Sequence, residues 1–320
     1  MWRLAAALIT AAWANACAAG PRPDWAFFIP APLATAPAQA AAPAPSSDSS
    51  AVDILNPPDW YPNEHAPMPA IVAHGAAPSV EHRAPILPCA LCHLPNGAGH
   101  VESASLAGLP AEYLIMQLAE IRSGERLINV GGPRAAQFIT ALKSAYTDDQ
   151  VREAAEYYSR LPPRNWIEVR ETSRVPHSGV DPDSLMRTAS TGGGTEPLGD
   201  RIVELPQNES GLRRRDAHSG FIAYVPVGSI AKGKRLVSSA DHASPACAAC
   251  HGKSLNGLGG IPPLAGRPPT YLVRQLWNYQ SGERRGAMAA PMQAVAARLR
   301  VDQMLVIAAY LASLPPGPSD

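Results

Sequence analysis

The chain has no excess of either charge. Lys plus Arg and Asp plus Glu both number 27 in 320 residues, and charged residues make up only 17%. This balance argues against nucleic acid as a partner and leaves only local patches to consider. Membrane-spanning length is also lacking: the apolar run Leu4 to Trp13 falls well short of the ~20 residues a transmembrane helix needs. With one Arg before it and small residues after it, that run reads instead as an export signal over residues 1–17. Cleavage after Ala14-Asn15-Ala16 would leave Cys17 first, where bacterial lipoproteins carry their lipid. The expected location is therefore periplasmic, either soluble or held to the membrane through a lipidated Cys17. Residues 18–58 have few charges and are rich in Ala, Pro and Ser, so they cannot bury enough surface to fold alone and read as a tether. Within them, Trp25 to Ile29 is an apolar exception that either packs back on a domain or lies near lipid.

The remaining apolar residues, with 46% hydrophobic overall, suffice for two small cores. An internal repeat sets their limits. A shift of 158 positions carries "CALCH" (Cys89 to His93) onto "CAACH" (Cys247 to His251), "YLIMQL" (Tyr113 to Leu118) onto "YLVRQL" (Tyr271 to Leu276), and "SGER" at Ser123 onto "SGER" at Ser281. Beyond that point the register shortens by five, and "DQVREAAEYYSRLPP" from Asp149 meets "DQMLVIAAYLASLPP" from Asp302. One unit has been duplicated, giving domains at 59–163 and 228–320. The patterning inside each is helical, with Leu305, Ala308, Ala309 and Leu311 at helical spacing in the last helix. The connecting segment 164–227 holds short β-type pieces, "RIVEL" and "FIAYV", that could pair or lie across both domains. It also holds a basic run, Arg213 to Arg215, which reads as a solvated face.

Each repeat carries C-x-x-C-H. The spacing suits two thioether bonds to one haem, with the following His as the proximal iron ligand and its second ring nitrogen donating to a backbone carbonyl. A zinc ribbon needs its two Cys pairs about 15–20 residues apart, whereas here each pair belongs to its own repeat. A redox dithiol would not require the His in both copies. Two covalent haem c groups are expected, held by Cys89, Cys92 and His93 and by Cys247, Cys250 and His251.

With these motifs in view, the stretch from "GSIAKGKRL" through "CAACHG", "PPLAGRPPTYLVRQL", "SGER" and "PMQAVAARL" to "IAAYLASL" resembles a class I cytochrome c domain. The duplication resembles the dihaem cytochromes of the c4 type. That resemblance implies an all-α fold of two tandem class I cytochrome c domains, each a small helical bundle around its haem, with an irregular or partly β connecting segment. It implies Met292 as the second ligand of haem two, from the pattern Met292, Ala296, Leu299, Asp302, with Met288 as a rival more suited to packing. It also implies Pro262 as the carbonyl facing the proximal His251.

The first copy departs from this pattern. Ile139 stands opposite Met292, Ala135 opposite Met288 and Ala104 opposite Pro262, and no Met or His occurs from Gln117 to Gln150. His74, His100, Met116, Met68, His65, His82 and Lys143 are the candidates for the vacant ligand position, and an open or water-bound iron is the alternative. The expected function is single-electron transfer between a dehydrogenase or quinol-oxidising complex and a terminal oxidase or other acceptor. The competing reading is a dihaem oxidoreductase, peroxidase-like or a dehydrogenase haem subunit, with an atypical first haem.

Overall fold

The computed structural model describes residues 21–27, 52–80, 85–128, 145–180, 186–239 and 246–320. The first repeat forms α1 (Ala70–Ala73), α2 (Ala90–His93), α3 (Ala111–Ser123) and α4 (Asp148–Arg160). A capping box starts α4: Thr147 Oγ1 accepts from the Gln150 amide, and Gln150 returns the bond to the Thr147 amide. Two acidic residues follow in the first turn, where the helix dipole favours them. The chain turns extended at Leu161, ahead of Pro162 and Pro163. Ile71, Val72, Ala90, Ala107, Ala154, Tyr157, Tyr158 and Leu161 make one buried core.

Residues 164–227 are more β-rich than the sequence implies. They contain β1 (Ile167–Glu171), β2 (Arg174–Pro176), β3 (Ser178–Val180), β4 (Arg187–Ala189), β5 (Thr195–Pro197), β6 (Val203–Pro206), the short helix α5 (Glu209–Arg213) and β7 (Phe221–Val225). "RIVEL" and "FIAYV" do pair, as antiparallel β6 and β7, and β1 joins β7 in parallel to complete a three-stranded sheet. β2 with β5 and β3 with β4 are separate two-stranded pairs. The basic run is not wholly solvated: Arg213 and Arg214 are exposed, but Arg215 is half-buried against His100.

The second repeat forms α6 (Ser229–Ser238), α7 (Ala248–His251), α8 (Pro269–Ser281), α9 (Ala290–Ala296) and α10 (Val301–Ala312). Its α10 packs on α6 and α8. The approach of α6 depends on Gly233, where a Cβ would lie 1.9 Å from the Val306 carbonyl. In the first repeat the corresponding helix α1 is only one turn long, and the chain goes extended at His74. There Gly75 admits the Ile86 carbonyl, which a Cβ would meet at 2.3 Å. The described part of the tether's apolar exception, Trp25 to Phe27, packs back on a domain: Phe27 is fully buried in the second repeat's core, edge-on to Trp277 with centroids 5.6 Å apart. The fold is thus largely helical with small β-sheet segments.

The repeated "SGER" segments meet across the molecule. Both preceding helices end on a left-handed glycine, Gly124 (φ 82°) and Gly282 (φ 77°). Arg126 donates to Gln117 at 2.7 Å and to Gln275 at 3.3 Å. Arg284 reciprocates, to Gln275 at 3.0 Å, Gln117 at 2.6 Å and the Tyr113 hydroxyl at 2.8 Å. Equivalent residues contact one another here, as about an approximate two-fold axis.

Candidate haem sites

In both repeats the second Cys and the His lie in a single helical turn whose N-cap is the first Cys. That turn puts two thiols and an imidazole at the start of a loop. All four cysteines are free, with Cys89 and Cys247 half-buried and Cys92 and Cys250 exposed. His93 Nδ1 lies 2.8 Å from the Ala104 carbonyl, and His251 Nδ1 lies 2.8 Å from the Pro262 carbonyl. A carbonyl can only accept, so Nδ1 carries the proton in each ring and the Nε2 lone pair is left for a metal. Burial holds both imidazoles below the ordinary His value, which keeps them in the neutral, ligating form. Among the described residues, no three His, Cys, Asp or Glu side chains cluster as a metal cage. Two thiols, one neutral imidazole and a fixed second-ring hydrogen bond are the donor set covalent haem takes, and the residues fit that group in both repeats.

The other predicted residues fall in different surroundings. Met292 is half-buried in α9, and Met288 is 67% exposed before it. α9 is pinned at its C-terminal end and its middle: Gln280 donates to the carbonyls of Ala296 (2.8 Å) and, just beyond the helix, Leu299 (2.7 Å), and Gln293 donates to that of Arg284 (3.2 Å). His74 is exposed and bonded to Asn56. His100 is buried among Arg215, Glu102 and Phe221. His65 is bonded to Asp59 and stands edge-on to Tyr157. Met68 packs against the first core, and Met116 is half-buried on α3. Cys17, His82, Ala135, Ile139 and Lys143 lie outside the described residues.

Sequence reasoning missed the polar layer behind the first site. Arg274 is 2% exposed and donates to the carbonyls of Ala26 (2.7 Å) and Val101 (2.9 Å). Arg267 is 6% exposed and donates to those of Ser105 (2.7 Å) and Ala107 (3.3 Å). Glu204, also buried, accepts from the Thr270 hydroxyl. Burial pushes its carboxyl up to about 7 against the pull of Thr270 and Arg274. A signal was available: under the 158-residue shift Arg274 replaces Met116, placing a charge at an apolar helix position.

Two CxxCH turns, each followed by a His tied to a loop carbonyl, define a c-type haem protein with two sites. The family model described as "Cytochrome c" matches residues 230–315. Over 68 residues the chain is 41% identical to cytochrome c-554(548) of Halomonas halodenitrificans, covering 82% of that protein and 21% of this one. Over 241 residues it is 27% identical to a thiosulfate dehydrogenase electron acceptor of Thiomonas intermedia, covering 72% of this chain and 80% of the relative. A solved thiosulfate dehydrogenase (TsdBA) from Marichromatium purpuratum is similar at TM-score 0.46 and 28% identity; the match covers 72% of this chain and 37% of that one. The chain belongs to the cytochrome c family as a dihaem class I member. The curated relatives it matches bear the names of cytochromes and of an electron acceptor.

Proposed function

We propose that the chain is a periplasmic electron carrier, soluble or lipid-anchored through Cys17, that takes single electrons from a dehydrogenase and passes them to a terminal oxidase or another acceptor. The observation that carries this reading is the matched pair of imidazole-to-carbonyl bonds, 2.8 Å in each repeat, beside two free cysteines. In this reading Cys89, Cys92 and His93 would hold the first haem, and Cys247, Cys250 and His251 the second, through thioether bonds and an imidazole. Met292 would supply a thioether to haem two. A thioether is a soft donor that would favour the ferrous state and raise the potential of a haem held there. When bound, haem supplies a one-electron ferric/ferrous couple. The chain's residues fix the imidazole through Ala104 or Pro262, hold α9 in place through Gln280 and Gln293, and exclude water with the two cores. The name borne by the Thiomonas relative favours a donor that oxidises an inorganic sulfur anion.

Absorption spectra of the purified holoprotein in both redox states, with carbon monoxide added to the ferrous form, test this reading. One methionine-to-ferric-iron band per chain, with reversible one-electron titration of two haems, is the expected result. Peroxide turnover at a catalytic rate would favour the oxidoreductase reading instead.

A further inference from the structure

The loop that follows the proximal His has to hold one carbonyl against the imidazole, and the two repeats stiffen it by different means. In the second repeat the acceptor is Pro262 with Pro263 next to it, so two φ angles are fixed by covalent rings. The turn leading into that loop is tied by the repeat's own C-terminus: Asp320 accepts from the Ser254 amide at 2.8 Å, and Asn256 accepts from the Gly317 amide at 2.8 Å. The corresponding residues of the first repeat are Ala104 and Ser105, which have no such ring.

The first loop has bonds of its own, such as Ser103 Oγ donating to the Cys92 carbonyl, and the second repeat adds a grip on it. Arg267, just before α8, donates to Ser105 and Ala107, and Arg274, within α8, donates to Val101. The three carbonyls gripped lie on either side of Ala104. Both guanidiniums are almost wholly buried. A buried guanidinium is tolerated only when its donors meet fixed acceptors, and its planar fork makes the acceptors' positions specific. The grip runs one way. Under the repeat shift Arg267 corresponds to Leu109 and Arg274 to Met116, side chains that cannot donate to the second loop.

We infer that Arg267 and Arg274 are positioning residues for the first haem, acting across the repeat boundary by fixing the loop whose Ala104 carbonyl orients His93. The inference rests on the reading of His93 as an axial ligand. It makes the ligand field of one haem depend on a helix of the other repeat. A carbonyl held firmly on Nδ1–H makes the imidazole a stronger donor and stabilises the ferric state. Loosening the loop therefore raises the potential of the first haem alone.

The test uses the full-length protein with both haems. Arg267→Lys and Arg274→Lys keep the buried charge but cannot span two carbonyls. Arg267→Leu and Arg274→Met install the residues found at the equivalent positions of the first repeat. Two quantities are read: the separate reduction potentials, with haem two identified as the wave moved by Met292→Ala, and solvent exchange of the axial His Nδ1 protons by NMR. Each Lys variant should raise the first potential and speed His93 proton exchange about tenfold, the loss of roughly one hydrogen bond's holding power. The second wave and the His251 proton should stay at wild-type values. Wild-type behaviour of both Lys variants would overturn the inference, as would equal changes at the two haems. The Lys variants also carry the test if the apolar ones do not yield folded holoprotein. A wild-type chain holding fewer than two haems would instead sink the reading of the sites.

Discussion

At the turn after each CxxCH motif, the two repeats run the same backbone over exchanged residues. Leu94 has φ 61° and its counterpart Gly252 has φ 83°; three positions on, Gly97 has φ 70° and its counterpart Leu255 has φ 62°. With ψ at 159°, Leu94 sits in a region that is essentially reserved for Gly and costs about 1–3 kcal/mol. It stays there because it is buried and its carbonyl accepts from the Gly97 amide and the Tyr158 hydroxyl. The geometry that presents the imidazole is therefore kept while its supports change. The first repeat's turn and loop are braced from outside, by Phe221 against Val101 and His100, by the Ala217 carbonyl on Asn96, and by Arg267 and Arg274. The second is braced by its own prolines and C-terminus, and its loop surface stays open: Leu258 and Ile261 are exposed, whereas their counterparts His100 and Ser103 lie beneath or beside Arg215 and the Cys92 carbonyl.

The largest expected effect treats the two repeats alike. Cys89→Ser with Cys92→Ser, or Cys247→Ser with Cys250→Ser, should each halve the haem carried per chain, measured as the pyridine haemochrome against protein mass. Loss of both haems from either double variant would mean the sites do not load independently. Met292→Ala separates the repeats: the methionine-to-ferric-iron band should vanish and one of the two potentials should fall, with Met288→Ala unchanged in both respects. A band that survives Met292→Ala would move the distal ligand elsewhere.

How much of this comparison could be read from the letters follows from what kind of interaction carries each part. Covalent spacing and helical period are local, so the paired CxxCH turns, the last helix of each repeat and the β6–β7 pairing are legible. The bracing is not, because it depends on which carbonyls a buried guanidinium reaches more than a hundred residues away. Arg274 to Val101 and Arg267 to Ser105 are contacts of that kind. The strand-rich middle was under-read for a similar reason. β1 and β7 are parallel and separated by two further pairs, so no turn signal between them announces the pairing.

The covered face should also titrate. Glu204 lies at the junction of β6 and α8, faced by Thr270 and Arg274, with Glu102 adding to its repulsion. Its folded value is raised from 4.5 to about 7, so the native state holds a proton that the unfolded chain releases. The fold's stability from this group is full below about pH 4.5 and is lost as pH rises to about 7, at about 1.4 kcal/mol per pH unit. Over that window the loss is about 3 kcal/mol. Denaturant midpoints of the holoprotein should show this slope in the wild type and not in Glu204→Gln. Parallel curves for the two proteins would mean the carboxyl is ionised throughout.

The smallest effect tests the exchanged supports at the turn itself. In the first repeat Tyr157 donates to the Pro95 carbonyl at 2.7 Å, and both groups are buried, so α4 is fastened directly to the residues after His93. Tyr157→Phe leaves that carbonyl without its donor and should cost about 1.5 kcal/mol in denaturant unfolding. Tyr310 holds the equivalent place on α10 but is half-buried, and the second turn is fastened through Asp320 and Asn256. Tyr310→Phe should therefore leave stability within about 0.5 kcal/mol of wild type. Asp320→Ala removes an exposed carboxylate that accepts from the Ser254 amide at 2.8 Å; it should loosen amide exchange at Ser254 without shifting the unfolding midpoint as far as Tyr157→Phe does. Equal costs for Tyr157→Phe and Tyr310→Phe would show that the last helices brace the two turns in the same way, and that the asymmetry is confined to the arginines.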